Sequence, residues 1–226
     1  TPTERTQARA NLERAATAQR VIRATLGDVT VHGIGWDEPG NALMIAQRLP
    51  WRRLYEQGVK IYSTGKASHL DVGGYNLDFI NTPGEVRSRE EVVPWHKMGV
   101  RVLNYAGPHT GPENPCFMRR VHGLQLYKAN YDGIGNYILD STRWNDFLGD
   151  VHNFRGFAMT YGTRDGVIDT LQWEGVREAV DDVRYATLLC QLAGAALERG
   201  TVDALYTARR ARLWLERLGE RTEDWK

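Results

Sequence analysis

The strongest sign of chemistry in the sequence is the carboxylate pair Asp37-Glu38, within residues 33–40 (GIGWDEPG). Adjacent side chains of a regular strand point to opposite faces, so both carboxylates can reach one substrate only where the strand has ended. Pro39 and Gly40 indicate such an end, because proline is confined to strand ends and edges. Two neighbouring carboxyl groups can hold different pKa values, one serving as acid and the other as anion. We therefore predict a catalytic pair. The alternative is that Asp37 only caps the helix beginning near Asn41.

Polar and aromatic residues also follow the later predicted strands. Hydrogen-bonding groups and an aromatic platform around one mouth are what a sugar site needs. The predicted substrate-binding residues are His69, Asn81, Tyr105, Asp140 and Trp144. Taken singly, each is also a common loop residue or helix cap. Neither His69 nor His109 shows the paired histidine spacing of a metal site, so we predict no metal and no cofactor.

Short runs rich in β-branched and aromatic residues alternate with helix-like stretches. The predicted strands are 29–36, 59–63, 77–81, 100–105 and 134–139. The predicted helices are 3–26, 41–57, 88–98, 116–128, 170–198 and 201–218. Gly58, Gly99 and Gly133 precede three of the strands, where a left-handed glycine lets the chain turn out of a helix. Strand–helix units of about 30 residues are typical of a (β/α) barrel, whereas an open doubly wound sheet is the alternative. The first strand is followed by no glycine-rich phosphate loop, which favours the barrel.

These elements predict an α/β fold, the C-terminal portion of a (β/α)8 barrel of the TIM type with about five β/α units, followed by C-terminal helices. We assign residues 1–165 to a partial, catalytic barrel and residues 166–226 to a helical segment packed on it. A closed barrel needs eight strands and about 250 residues. We therefore expect a missing N-terminal barrel segment of the same protein as a partner. A genuinely short fold is the competing explanation.

Composition narrows the classes of partner. The chain has 226 residues with a formal net charge of +1, which favours neither nucleic acid nor an anionic membrane. No apolar run reaches the ~20 residues of a membrane span, and no signal peptide opens the sequence. The location stays open, with extracellular and periplasmic placement both compatible. Seven Trp and ten Tyr against five Phe suit stacking on sugar rings as well as core packing. Cys116 and Cys190 provide no disulfide framework, and we expect both to be buried thiols.

Residues 161–185 (YGTRDGVIDTLQWEGVREAVDDVRY) resemble the closing segment of barrel hydrolases of the glycoside hydrolase 123 type. Their pattern is a tyrosine and glycine, a turn, and a helix reading Arg-Glu-Gly-Ile-Asp-Asp-Tyr-Arg-Tyr. Here Ala179 and Val180 replace the Gly-Ile pair, and Val183 replaces the first Tyr. Residues 131–137 (YDGIGNY), leading to Trp144, resemble the last strand of that family. The resemblance covers most of residues 28–195.

The resemblance implies substrate-assisted, retaining hydrolysis of an N-acetylhexosaminide. The 2-acetamido oxygen of the sugar attacks the anomeric carbon. Asp37 orients and stabilises that group, and Glu38 protonates the leaving oxygen and then activates water. The predicted strand ending at Tyr105 carries no carboxylate, which agrees with the absence of an enzyme nucleophile. Two alternatives stay open: a two-carboxylate retaining glycosidase with Glu38 as acid/base and Glu85 or Glu113 as nucleophile, and a non-catalytic carbohydrate-binding barrel.

Overall fold

The computed structural model describes residues 2–105, 114–135 and 159–218. The chain forms two compact units, residues 1–105 and residues 106–226. This division falls at a different position from the proposed boundary at residue 165, and the assignment of a barrel and a helical segment stays a prediction.

The first unit alternates strands and helices. Its helices are α1 (Pro2–Leu26), α2 (Asn41–Tyr55), the short α3 (Leu70–Gly73) between two 3-10 turns (Ala67–His69 and Gly74–Asn76), and α4 (Arg89–Lys97). Its strands are β1 (His32–Ile34), β2 (Lys60–Thr64), β3 (Phe79–Pro83) and β4 (Arg101–Tyr105). The predicted runs correspond to these elements, except that the sequence did not indicate the helical turns of residues 67–76.

Strands β1 to β4 pair side by side in chain order, and every pair is parallel. Each strand therefore lies next to the one that precedes it, without the reversal of order that marks a doubly wound sheet. This confirms the α/β class and is the strand order of a barrel. Closure into an eight-stranded barrel stays a prediction.

Glycines at two of the three predicted positions turn the chain into the strands, whereas before the later strand β5 (Gly133–Ile134) the left-handed residue is Asn130 and not Gly133. Gly58 and Gly99 have φ of 78° and 79°, a left-handed conformation that residues with a Cβ rarely adopt. After each turn, a fully buried valine, Val59 or Val100, enters the core. Trp95 of α4 is also fully buried. These side chains belong to the hydrophobic core of the first unit.

The amino ends of β2 and β3 are joined by Asp78. One carboxylate oxygen accepts a hydrogen bond from the backbone N–H of Ile61 at 2.8 Å, and the other lies 2.8 Å from Lys60 Nζ. In parallel β/α folds this end of the sheet serves stability, whereas the carboxyl ends carry chemistry.

The second unit contains helices α5 (Pro115–Arg120), α6 (Leu126–Lys128), α7 (Leu171–Arg199) and α8 (Val202–Arg217), and strands β5 (Gly133–Ile134), β6 (Thr160–Gly162) and β7 (Val167–Asp169). A π-helical turn, Val121–Gln125, joins α5 to α6, so the predicted helix 116–128 is a broken helix. The antiparallel hairpin of β6 and β7 was not predicted. Helix α7 is capped by Thr170, whose hydroxyl accepts from Trp173 N–H, and is followed by the left-handed Gly200, so both ends lie near the predicted limits.

Two further observations concern the two cysteines and membrane-spanning helices. Cys116 and Cys190 are both exposed, so the expectation of buried thiols was wrong. These residues lie on helices α5 and α7, at positions that face away from the packed interior. In the described ranges, no helix combines the length and apolarity that a membrane crossing requires.

Candidate functional site

The segment that carries Asp37 and Glu38 leaves the carboxyl end of β1 and is held by α2. The side chain of Gln47, buried in α2, accepts a hydrogen bond from Trp36 N–H at 2.9 Å. Gly35 permits this contact, because a Cβ there would lie 2.6 Å from Gln47 Oε1 and 2.7 Å from an indole carbon of Trp51. The strand has therefore ended before Asp37, as the sequence indicated, and both carboxylates are exposed.

A single hydroxyl from the neighbouring strand contacts both members of the pair. Thr64 Oγ1, at the end of β2, donates to Asp37 Oδ1 at 3.0 Å and accepts from Glu38 N–H. A hydroxyl can donate once and accept at the same time, so Thr64 fixes the two residues relative to each other. Asp37 does not cap α2, since the N-cap position belongs to Gly40 and shows no side-chain cap. The capping alternative is therefore wrong.

Glu38 is also held from β4. The hydroxyl of Tyr105 donates a short hydrogen bond to Glu38 Oε1. Burial, followed by the hydrogen bond and the charge of Glu38, raises the pKa of Tyr105 above its usual range, so the phenol keeps its proton. The carboxyl edge of the sheet thus brings together the carboxylate pair that follows β1 and one hydroxyl each from β2 and β4, at the edge where a parallel β/α fold places its chemistry.

The backbone of Glu38 is strained. Its φ is 42°, on the left-handed side that costs a residue with a Cβ about 1–2 kcal/mol. Such strain persists only where surrounding contacts enforce it, and it clusters at functional sites. The hydrogen bonds from Thr64 and Tyr105, together with the buried ring of Pro39 that follows, supply that enforcement here.

A cavity of about 270 Å³ opens beside Glu38. It is lined by Glu38, Pro39, Gly40, Asn41, Gly65, Lys66, Ser68, His69 and Pro83. Two predicted site residues, Glu38 and His69, thus meet at one cavity. Among the described residues, Asn81 and Tyr105 do not line it.

His69 is buried and oriented toward this cavity by its own turn. Its Nδ1 accepts from Lys66 N–H at 3.1 Å, so the ring proton of the neutral form resides on Nε2. Burial, with a smaller contribution from the charge of Lys66, lowers the pKa of His69 below its ordinary value. Gly65 makes room for the imidazole, because a Cβ there would lie 2.5 Å from His69 Nδ1. His69 is therefore a neutral hydrogen-bond donor at the cavity wall.

Asn81 occupies a different position from the one that the sequence suggested. It is buried in β3, and its Nδ2 donates to the hydroxyl of Tyr62 at 2.6 Å. Burial raises the pKa of Tyr62, the hydrogen bond from Asn81 lowers it, and the negative charge of Asp37 raises it. Asn81 therefore binds the hydroxyl of Tyr62, whose pKa the charge of Asp37 also affects. Asp140 and Trp144 lie outside the described residues, as does Glu113.

Sequence reasoning missed Thr64 and Lys66. Ser63, next to Thr64 in the same strand, is fully buried, and its hydroxyl donates to the carbonyl of Thr64 at 3.1 Å. Ser63 and Thr64 point to opposite faces of β2, because strand side chains alternate. The sequence alone did not tell which of the two faces is toward the carboxylate pair. Within the described part of the chain, no group of three or more histidine, cysteine or acidic residues is arranged to hold a metal ion.

Comparisons with known proteins give a fold but no close relative. No protein family model matches the sequence, and no curated protein matches it. Among solved structures, the chain is similar to a family 123 glycoside hydrolase from Clostridium perfringens, described for glycolipid glycan hydrolysis, with a TM-score of 0.63 and 11% identity. The alignment covers 95% of this chain and 45% of that one, so this chain spans less than half the length of that hydrolase. The likeness shows a shared fold, in line with the resemblance noted in the sequence.

Proposed function

We propose that this protein is a glycosidase that uses Asp37 and Glu38 at the carboxyl end of β1. The observation that carries the proposal is how the Asp37-Glu38 pair is held: hydroxyls from two other strands contact it, and Glu38, whose backbone is strained, lines a cavity. Such positioning is what acid–base chemistry requires of its groups. The shared fold with a family 123 glycoside hydrolase supports the same reaction class.

Glu38 is the proposed general acid and base. It lines the cavity, and among the described residues its Oε2 has no hydrogen-bond partner, since Tyr105 donates to Oε1. One oxygen is thus held, and we assign the other to the leaving-group oxygen. Protonated Glu38 donates its proton to that oxygen as the glycosidic bond breaks. The resulting carboxylate then takes a proton from the incoming water.

Asp37 is proposed to stabilise the reacting group of the substrate rather than to attack it. Its Oδ1 is held by Thr64, and in the described ranges its Oδ2 makes no hydrogen bond. A carboxylate so held can accept the N–H of a 2-acetamido group. This contact favours attack of the acetamido oxygen on the anomeric carbon, since positive charge develops on the amide nitrogen. We therefore propose an N-acetylhexosaminide as substrate and retention of configuration.

We propose that the sugar ring binds in the cavity beside Glu38. Its volume of about 270 Å³ is small, and its wall carries the Nε2 donor of His69 with the side chains of Ser68 and Asn41. These groups offer hydrogen bonds to sugar hydroxyls. Asp140 and Trp144 stay proposed as further contacts on the basis of the sequence.

The test compares aryl β-N-acetylgalactosaminide and β-N-acetylglucosaminide with the matching plain hexosides. We expect cleavage of an acetamido sugar only. We also expect the rate to fall when the acetamido group is fluorinated, because fluorine withdraws electrons from the attacking oxygen. Cleavage of plain hexosides would refute substrate assistance and favour Glu85 or Glu113 as nucleophile.

Two variants assign the roles. Glu38→Gln is expected to lose turnover of substrates with poor leaving groups by about 100-fold or more, the contribution of a general acid, and to retain binding. Substrates whose leaving group needs no proton should be affected far less. Asp37→Asn is expected to slow all acetamido substrates regardless of the leaving group. The unaltered protein could instead bind sugar without any turnover. If Glu38→Gln then bound sugar equally well, the protein would be a carbohydrate-binding protein and not a glycosidase.

A further inference from the structure

A second cleft in the first unit shares no residue with the cavity at Glu38. It is lined by Trp51, Arg52 and Tyr55 of α2 and by Tyr75 and Asn76 of the following 3-10 turn. Its volume is about 280 Å³. The cavity at Glu38 lies at the beginning of α2, about ten residues earlier, which corresponds to ~15 Å along a helix. The two clefts are therefore separate sites on one helix.

Two tyrosine rings stand at the surface of this cleft with one cation each. Tyr55 and Tyr75 are 55% and 60% exposed. Lys60 Nζ lies 5.1 Å from the ring centre of Tyr55, and Arg48 Cζ lies 5.0 Å from that of Tyr75. A cation at this distance is attracted to the ring face and limits the ring's motion. Exposed, oriented tyrosines offer a flat apolar face and a polar edge, which suits a sugar ring.

The charge of Arg48 is not compensated by a carboxylate among the described residues, unlike the charges of Arg52 and Lys60. Arg52 pairs with Glu56 at 3.3 Å, and Lys60 pairs with Asp78 at 2.8 Å. In the part of the chain that the structure describes, Arg48 has the ring of Tyr75 as its contact and no carboxylate. A half-buried guanidinium without a counter-ion favours an anion, and its planar fork matches a carboxylate in particular.

An unpaired donor on the cleft wall, at Asn76, and a second one beside the cleft, on the Arg48 that contacts Tyr75, point to a ligand rich in acceptors. Arg48 Nε and Asn76 Nδ2 are buried and have no hydrogen-bond acceptor among the described residues. A buried donor left unpaired costs about 1–3 kcal/mol, so an entering acceptor that reaches it after a small side-chain rotation is favoured. Both groups can only donate, and a carboxylate only accepts.

We propose that this cleft binds an acidic saccharide, with the sugar ring against the tyrosine faces and its carboxylate on Arg48. The proposal does not depend on catalysis at Glu38. Such a site holds a uronic acid residue of a carbohydrate chain on the protein surface, apart from any bond that is cleaved.

Binding to Glu38→Gln protein tests the proposal without turnover. The probes are a β-linked glucose disaccharide and its counterpart with one glucuronic acid, followed by nuclear magnetic resonance titration. We expect the acidic sugar to bind at least tenfold more tightly, and added salt to reduce the difference. Equal affinity for the two sugars, or no binding, would overturn the proposal.

Variants locate the binding. Arg48→Gln and Tyr75→Ala are each expected to weaken binding of the acidic sugar about tenfold or more, and Tyr75→Phe to retain most of it. The control Arg53→Gln removes the same charge from an exposed position of the same helix and should change little. Binding that is lost in His69→Ala but retained in Arg48→Gln would place the sugar in the other cavity and overturn the proposal. Unchanged aryl glycoside turnover in Arg48→Gln would separate this site from the catalytic one.

Discussion

Thr64 offers the sharpest test of how the carboxylate pair is positioned. Its hydroxyl donates to Asp37 Oδ1 at 3.0 Å and accepts from Glu38 N–H, so both contacts pass through one oxygen. Thr64→Val replaces that hydroxyl by a methyl group of similar size and leaves the strand's branched side chain in place. Thr64→Ser keeps the hydroxyl and removes the methyl group instead. The two variants therefore separate the hydrogen bonds from the packing.

The expected magnitude follows from the charge and exposure of the partners. A hydrogen bond to a charged group contributes about 1.5–3 kcal/mol. Asp37 and Glu38 are exposed, so water replaces part of the lost contact, and the low end of that range applies. A loss of about 1.4 kcal/mol corresponds to a tenfold slower reaction. We expect kcat of Thr64→Val to fall about tenfold, with KM nearly unchanged because Thr64 does not line the cavity in the described residues.

The assay is steady-state hydrolysis of the aryl N-acetylhexosaminide, with denaturant unfolding measured on the same samples. Unfolding free energy should fall by about 1.5 kcal/mol in Thr64→Val, the low end of the same range. Thr64→Ser should regain most of the activity. A fully active Thr64→Val protein would refute the argument, as would a serine variant as slow as the valine variant.

Three further predictions concern strain, packing and protonation. Glu38→Gly and Glu38→Ala both lose the carboxylate. We expect the glycine variant to be about 1–2 kcal/mol more stable in urea, because φ is 42° at this position. Equal stabilities of the two variants would contradict the backbone strain. Gly175→Ala places a Cβ 2.3 Å from the carbonyl oxygen of Pro115 and should destabilise the fold by about 1–3 kcal/mol, whereas Gly194→Ala meets open space and should stabilise the fold by about 0.5–1 kcal/mol. Thermal unfolding of the pair checks the opposite signs. Burial lowers the pKa of His122 from 6.5 to about 4. Between these pH values the histidine is protonated in the unfolded chain but neutral in the folded protein. Stability should therefore fall by up to about 3 kcal/mol as the pH drops from 6.5 toward 4. His122→Leu should reduce this slope in urea titrations, and an unchanged slope would assign it to other groups.

Local sequence determined most of the helices and strands, because their formation depends on interactions between residues close together in the chain. Branched and aromatic runs became β1 to β4, and amphipathic stretches became the long helices. Gly58 and Gly99 took the left-handed turns that their positions required, and Thr170 capped its helix. These outcomes depend on backbone sterics and on hydrogen bonds between near neighbours, which the amino-acid types alone specify.

The broken helix of residues 115–128 shows where local reasoning ends. Its composition favours one continuous helix, yet the chain forms a π-helical turn at Val121–Gln125. Gly123 lies against α7 there, and a Cβ on it would come within 3.1 Å of the backbone of Ala179. The close approach of two helices decides this geometry, and the contact partner lies more than fifty residues along the chain.

The candidate site divides in the same way. The sequence by itself determined that Asp37 and Glu38 follow a strand end, because Pro39 and Gly40 cannot continue a central strand. Only the tertiary structure decided that Thr64, rather than Ser63, contacts the pair. Adjacent strand residues face opposite sides, and the choice between them depends on strand register, which parallel pairing of distant segments establishes. The contact of Tyr105 with Glu38 has the same cause, since it joins residues that only the assembled sheet brings together.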